Sequence, residues 1–508
     1  MQTMPRYPQI LLFTIFTLTS IEYLQSGMIA FGAGPIMGEI GAAPEEFSLI
    51  SATYACVAIA AIAKQRWFAE RLGWRRFVML SLAFFMLGAT LCAVSTTYPQ
   101  FMAGRVCMAM GGGTLMTSAR VLVNLFPPSP KRFTGIRYFA TALAVGSSSA
   151  PWLSSVAISH DSWRWIFGIL IILGALASVL ALVCLPVETP ARELHTESHP
   201  VLLMVLIAGT FVVLYALQRS YYDFYGDFAM LASAGVLGLM ALAYFVHAMH
   251  AHKRTLLNIG SLHNARYWSG VALFTACYTL MAATNYMLPA LLQRGLGFPW
   301  EVIGQVQATG LATTVLTWAV MAVILPKKPA AKKYYLIGFT ALAIFGWRIA
   351  NFSPSANLWT DFVPALAAYG VFVMLVLATT AMHTFREVQH HETVFSHAQQ
   401  VKNMLSQFGG SLGISLATLL LQTRTAMHSS VMNTHFVAGD PFYEQSLRQM
   451  SEAYAQTGSA QSAALASAGL AQSLTQQVTL LATLDYFWIV AGIGVVGAVV
   501  MVLQRALK

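Results

Sequence analysis

Of the nineteen acidic residues in the chain, Glu22 stands apart, in the middle of an unbroken apolar run that starts near Gln9 and ends near Ala33. The other acids fall in polar connections or within about a turn of the end of such a run, Asp361 and Asp485 at run starts among them. At about 1.5 Å per helical residue, Glu22 reaches the middle of a hydrocarbon layer roughly 30 Å thick. An ionised carboxylate costs several kcal/mol against lipid, so Glu22 should face a protein interior or a water-filled cavity and exchange a proton in use. The competing reading is a buried Glu that only hydrogen-bonds a neighbouring helix. Arg105, a few residues into the fourth apolar run, is the natural partner, and the pair would form a proton-responsive switch. Alternatively, Arg105 snorkels to the headgroups. Lys402 reads as snorkelling, while Arg120 and Arg348, near run ends, fit either role. Gln25, Asn285, Gln305, Gln307, Asn403 and Gln407 also lie inside apolar runs, where amides line a cavity or tie helices together.

Other chemistry finds little support. The histidines are scattered, with His383, His390, His391 and His397 spread along one connection and no HExxH spacing. Five cysteines, Cys56, Cys92, Cys107, Cys184 and Cys277, lie inside apolar runs and read as packing residues, not as a disulfide framework or metal site. A phosphate-binding GxxxxGK[ST] loop is absent, which leaves an ion gradient as the evident energy source. No catalytic residue, metal or cofactor is expected.

The elements that must position Glu22 follow from composition. The 508 residues are 57% hydrophobic and only 9% charged, with a mean hydropathy of +0.63. Soluble domains carry about 25% charged residues, so this is a polytopic α-helical membrane protein. Fourteen runs read as spanning helices: 9–33, 48–65, 76–97, 99–125, 134–158, 163–185, 201–219, 228–250, 267–292, 301–325, 334–351, 361–383, 398–423 and 483–504. The first is read as a retained helix and not a cleaved signal.

Basic residues orient the set. With a cytoplasmic N-terminus, the inner segments hold twenty of the 29 Lys and Arg: Arg6, Lys64 to Arg76, Lys131 to Arg137, Arg192, Lys253 to Arg266, Lys327 to Lys333, Arg386, and Arg505 with Lys508. The outer segments hold five and the spans four. Such asymmetry puts both termini in the cytoplasm and assigns the net charge of +10 to topology and anionic lipid, not to nucleic acid. Residues 425–482, rich in Ala, Gln and Ser, read as an outer loop that either carries short helices or is flexible.

Several strings resemble the fourteen-span drug:proton antiporters of the major facilitator superfamily. AERLGWRRF resembles the cytoplasmic motif A, with Glu70, Arg71, Gly73 and Arg75 matching by position, Glu70 standing where Asp is usual. FMAGRVCMAMGGG is similar to motif B around Arg105. GSSSAPWLSS, residues 146–155, resembles antiporter motif C through Gly146 and Pro151, with Ala150, Ser154 and Ser155 replacing glycines. SHDSWRWIF resembles the family's entry to span six, and SQFGGSLG the start of its span thirteen. The family's acid in span one falls at Ser26, and Glu22, one helical turn earlier on the same face, reads as the displaced proton site.

The resemblance implies two six-helix bundles, residues 1–190 and 261–508, with residues 191–260 as an inserted helix pair, in the inner membrane of a bacterium. It implies a cavity holding Gln25, Ser26, Asn285, Gln305 and Gln407, and an inner gate of Glu70, Arg71, Gly73, Arg75 and Arg120. In that gate Glu70 should meet Arg120 and the connection from Lys131 to Arg137. The implied activity is proton-coupled export of a small amphipathic compound by a chain expected to be monomeric. A dedicated exporter or importer of one metabolite, such as a siderophore, shares these features. A membrane-embedded enzyme is the rival from another class.

Overall fold

The computed structural model describes residues 7–126, 130–160, 162–186, 196–223, 226–251, 256–325, 327, 330–353, 356–388, 392–434, 441–456 and 461–504. Of the charges that orient the chain, Arg6, Arg192, Lys253, Arg254, Lys328, Arg505 and Lys508 lie outside these residues, as do His390 and His391. The described residues form helices and no strand. The order is α1 (Pro8–Phe31), α2 (Ala33–Ile40), α3 (Pro44–Leu72), α4 (Trp74–Val94), α5 (Tyr98–Leu122), α6 (Pro130–Ser159), α7 (Arg164–Cys184) and α8 (Pro200–Asp223). There follow α9 (Phe228–Ala251), α10 (Ala265–Pro289), α11 (Trp300–Ile324), α12 (Ala331–Ala350), α13 (Val363–Thr384), α14 (Glu392–Asn433), α15 (Pro441–Gln456) and α16 (Ser462–Leu503). Each apolar run of the sequence coincides with one of these helices. Twelve are long and apolar enough to cross a membrane; α6 and α12 are long enough but fall short on composition.

Local chemistry sets the ends. Pro44 opens α3 at a position where a missing N–H costs nothing, and the Glu46 carboxylate accepts the Ala43 N–H at 2.8 Å. Gly73 separates α3 from α4 at φ +78°, a conformation that a side chain disfavours. Residues 425–482 are largely helical, as the composition of their Ala- and Gln-rich stretches suggests, but two of the three helices are not short. Helices α14 and α16 are 42 residues each, about 63 Å long, and run through most of that stretch, with α15 packed on α16. Its Ala- and Gln-rich composition favours helix, and Ala466 and Leu470 supply buried apolar positions.

Two bundles result. Helices α1 and α3–α7 pack on one another, as do α10–α14 with α16. The bundles meet along two seams, α6 against α11 and α3 against α14, and again where α1 meets α10. Helices α8 and α9 pair, and α8 rests on both α3 and α14, where Leu214 joins Ala52 and Cys56 against Phe408 and Leu412. Close approach is written into glycines: a methyl on Gly111 would collide with the Ser81 carbonyl of α4, and one on Gly304 with the Ser155 hydroxyl of α6.

Candidate functional site

Glu22 is 8% exposed and lies where α1 faces the second bundle. Its Oε1 accepts a hydrogen bond from Gln407 Nε2 of α14 at 2.6 Å, and its Oε2 one from Gln25 Nε2 at 2.9 Å. The Gln25 amide also donates to Tyr54 Oη of α3 at 2.5 Å. Arg105 stacks on the Tyr54 ring, its guanidinium carbon 4.1 Å from the centroid, and directs Nη1 at Met108 Sδ. The expected Glu22–Arg105 ion pair is therefore not made, because Gln25 and Tyr54 stand between the two side chains. Arg105 does not snorkel either: it is 7% exposed, with Nε buried and without a hydrogen-bond partner.

Glu22 lines the upper of two adjoining chambers between the bundles, together with Ser26, Asn285, Gln307, Asn403 and Gln407. The lower chamber lies toward the face at which α1 begins and is walled mainly by aromatic and aliphatic side chains. Tyr23, Met116 and Tyr278 border both. The hydroxyls of Tyr23 and Tyr278 are 2.5 Å apart, so a tyrosine pair joins α1 to α10 at the boundary. Gln25, expected in the cavity, borders neither chamber; it stands behind Glu22, bonded to that carboxylate and to Tyr54. Gln305 is exposed and borders neither chamber, whereas Gln307 does, with its Nε2 unpartnered. Two residues along a helix turn a side chain by about 200°, which is why only one of these glutamines faces inward. Lys402 is also displaced from its expected role. It follows Glu392 by ten residues, about 15 Å of helix, and the residue is 5% exposed, lining the lower chamber rather than reaching headgroups.

Helix α14 carries a polar stripe against the first bundle. Gln400 Nε2 donates to the Ile62 carbonyl at 2.7 Å, Asn403 Nδ2 to Thr117 Oγ1 at 2.6 Å, and the Ser415 and Ser48 hydroxyls meet at 3.0 Å. Gln407, between them, reaches Glu22. Helix α6 packs through small residues, on α1 within its own bundle and on α11 across the other seam. Ser154 Oγ donates to the Met28 carbonyl of α1 at 3.2 Å, a methyl on Gly27 would lie 2.7 Å from Ala150 Cβ, and Gly146 packs against Tyr23. Pro151 and Ser155 face Gly304 of α11.

The expected gate is wired differently from its sequence reading. Glu70 accepts from Arg66 Nε at 2.6 Å and from the Thr196 backbone and hydroxyl at 2.8 and 3.0 Å. Arg66 crosses to His397 Nε2 of α14 at 3.0 Å, and Arg71 stacks on Trp67 and donates to the Thr196 carbonyl. Arg120 does not join them; it stacks on Phe395 at 4.8 Å and lines the lower chamber. Among the described residues Arg75 has no hydrogen bond or ion pair. Glu70 thus faces the segment leading into α8, and its neighbour Arg66 makes the inter-bundle contact.

Two helical bundles around a cavity between them, with a buried acid on α1, narrow the families to which the chain can belong. The family model of the Major Facilitator Superfamily matches residues 15–414. The chain belongs to this superfamily. It is similar to YhcA of Bacillus subtilis (strain 168), an uncharacterised MFS-type transporter, at 22% identity over 85% of this chain and 80% of that protein. It is also 22% identical to MdtD of Escherichia coli O1:K1, provisionally named a multidrug resistance protein, over 77% of this chain and 82% of the relative. Among solved structures, a bacterial homologue of the human lysosomal transporter Spinster, inward-facing and unoccupied, superposes with a TM-score of 0.58 at 14% identity, covering 98% of each chain. An auto-inhibited POT family peptide transporter gives 0.57 at 17% identity, covering 95% of this chain and 97% of that one. At these identities the likeness is one of fold. This facilitator is a multi-pass membrane transporter and not an enzyme.

Sequence reasoning missed Tyr54, the Tyr23–Tyr278 pair and the cavity position of Lys402. Tyrosines in apolar runs are common, and nothing in their spacing marks a partner 255 positions away in the chain. The WRW segment, read only as a resemblance, has a definite structural place. Trp163 Nε1 and Arg164 Nη1 both donate to the Glu39 carboxylate of α2, and Arg164 Nη2 reaches the Ser95 carbonyl at 3.0 Å, clasping the start of α7 to α2 and to the end of α4.

Proposed function

We propose that this facilitator exports a small amphipathic compound from the cytoplasm in exchange for protons, by rocking of residues 1–190 against 261–508 with 191–260 as the inserted pair. Both termini are then cytoplasmic, in a bacterial inner membrane. The observation that carries the reading is the hydrogen bond from Gln407 of α14 to the carboxylate of Glu22 on α1, a contact between the bundles on the one acid that is buried among the described residues. An ionised carboxylate accepts from both Gln407 and Gln25. A protonated one becomes a donor at one oxygen, so the amide facing that oxygen must turn its carbonyl inward or let go. A proton on Oε1 therefore breaks or reverses the Gln407 bond that joins α14 to α1, and that is the coupling step proposed here. A coupling of about 1–3 kcal/mol between proton and conformation suffices for exchange. The name of MdtD supports a drug-like substrate, and Arg105 acts on Glu22 through Tyr54 and Gln25.

Expression in a bacterial strain stripped of its own efflux pumps, challenged with a panel of amphipathic antimicrobials, tests the assignment. Raised resistance to at least one compound, lost when the proton gradient is collapsed, is expected. Accumulation of the compounds in place of resistance would make the protein an importer and overturn the proposed direction.

A further inference from the structure

The lower chamber holds charge that the proton site does not use. Its space, about 1330 Å³ with the mouth included, accommodates a drug-sized molecule. Among the described residues three cations line it, Arg120, Arg137 and Lys402, and no Asp or Glu. Arg137 donates to the Ala322 carbonyl at 3.2 Å. The other two have no such partner: among the described residues, neither the Lys402 ammonium nor the Arg120 guanidinium makes a hydrogen bond or ion pair. Lys402 Nζ lies 5.0 Å from the Phe274 ring centroid and 5.8 Å from that of Tyr278, which gives it only aromatic faces. Arg120 is close enough for the two positive charges to repel. Glu22 attracts Lys402 from the upper chamber, yet its oxygens are occupied by the amides of Gln25 and Gln407.

A buried ammonium without a counter-ion is expensive, and a second cation beside it makes it more so. Ordinary packing would replace Lys402 with an apolar residue. The missing partner is an anion from outside the chain, and the aromatic walls set the rest of its chemistry. We infer that the substrates are amphipathic organic anions, bound with the carboxylate, sulfonate or phosphate head between Lys402 and Arg120 and the apolar body against Phe274, Tyr278 and Trp318. This rests on the exporter reading only in taking the cavity as the substrate path.

Equilibrium binding to the full chain in phosphatidylcholine nanodiscs tests the inference with three probes of one shape: 1-naphthylacetate, its neutral amide, and 1-naphthylmethylammonium. Wild type should bind the carboxylate at least about tenfold more tightly than the ammonium. Lys402→Gln should lose about tenfold for the carboxylate and leave the amide unchanged, Lys402→Arg should keep the preference, and Lys402→Glu should reverse it. Equal binding of the three probes, binding of none, or an unchanged preference in Lys402→Glu would overturn the assignment. So would loss of naphthylacetate binding when phosphatidylglycerol replaces the neutral lipid, which would make the chamber an anionic-lipid site. No pH gradient enters the assay. Failure of gradient-driven export with the charge preference intact counts against proton coupling alone, and the reverse outcome counts against the anion assignment alone.

Discussion

A single side chain is the smallest scale at which this transporter can be understood, and Glu22 shows how far such reasoning reaches. Its depth was legible because an acid in an apolar run is rare and expensive. Its partners were not, since Gln407 and Tyr54 come from helices whose facing surfaces no local pattern specifies. Arg105 illustrates the limit: charge complementarity named it as the partner, while the folded chain gives it the face of Tyr54. Glu39 offers a separate test outside the spans. The Arg164 guanidinium first, and the Trp163 N–H after it, hold its carboxyl below the usual carboxylate range against an opposing push from burial. A depressed value in the folded state means that the clasp contributes stability above the ordinary carboxylate range and loses it as pH falls through the lower folded value. Thermal melts of Glu39→Gln and wild type should accordingly differ near neutral pH and converge in acid. Parallel curves at every pH would show that the clasp contributes nothing.

Helices were the most legible level, because a spanning segment needs a length of apolar sequence that few other structures require. Each apolar run became a helix, and the main departure lay where the polarity rule ends. The helical composition of stretches within 425–482 was legible, and α15 is one such short helix; what was not legible is that α14 and α16 continue as helices beyond the apolar runs, α16 with α15 packed on it. Small-residue motifs were legible as packing devices without showing which helix they would meet. The segment 146–155 faces α1 on one side and α11 on the other, with Gly304 the tightest point of the second contact. Gly304→Ala should wedge α6 from α11, costing about 1–3 kcal/mol as overpacking does. A lower melting temperature with slowed transport is expected, and Ser155→Gly in the same chain should recover part of both. An unchanged melt would mean that the seam has slack and is not a fixed bearing between the bundles.

In the whole molecule, proton binding at Glu22 and the arrangement of the two bundles are proposed to be one equilibrium seen from two sides. Hydrogen bonds from α14 cross to the first bundle at Gln400, Asn403, Gln407 and Gln422; Gln422 ends on the partly exposed carboxylate of Glu45 at the start of α3, and Gln407 on the buried, mid-span carboxylate of Glu22. The sequence offered the acid and the two-bundle resemblance separately; the seam that connects them required the fold. The decisive measurement is transport of a compound identified by the resistance screen into inverted vesicles, with and without an imposed pH gradient, for wild type and Glu22→Gln. Wild type should accumulate the compound against its gradient when the vesicle interior is acid. The variant should fail to accumulate it, while still exchanging labelled for unlabelled compound at equal pH. Uphill accumulation by Glu22→Gln at the wild-type rate and with the same dependence on pH would contradict the account.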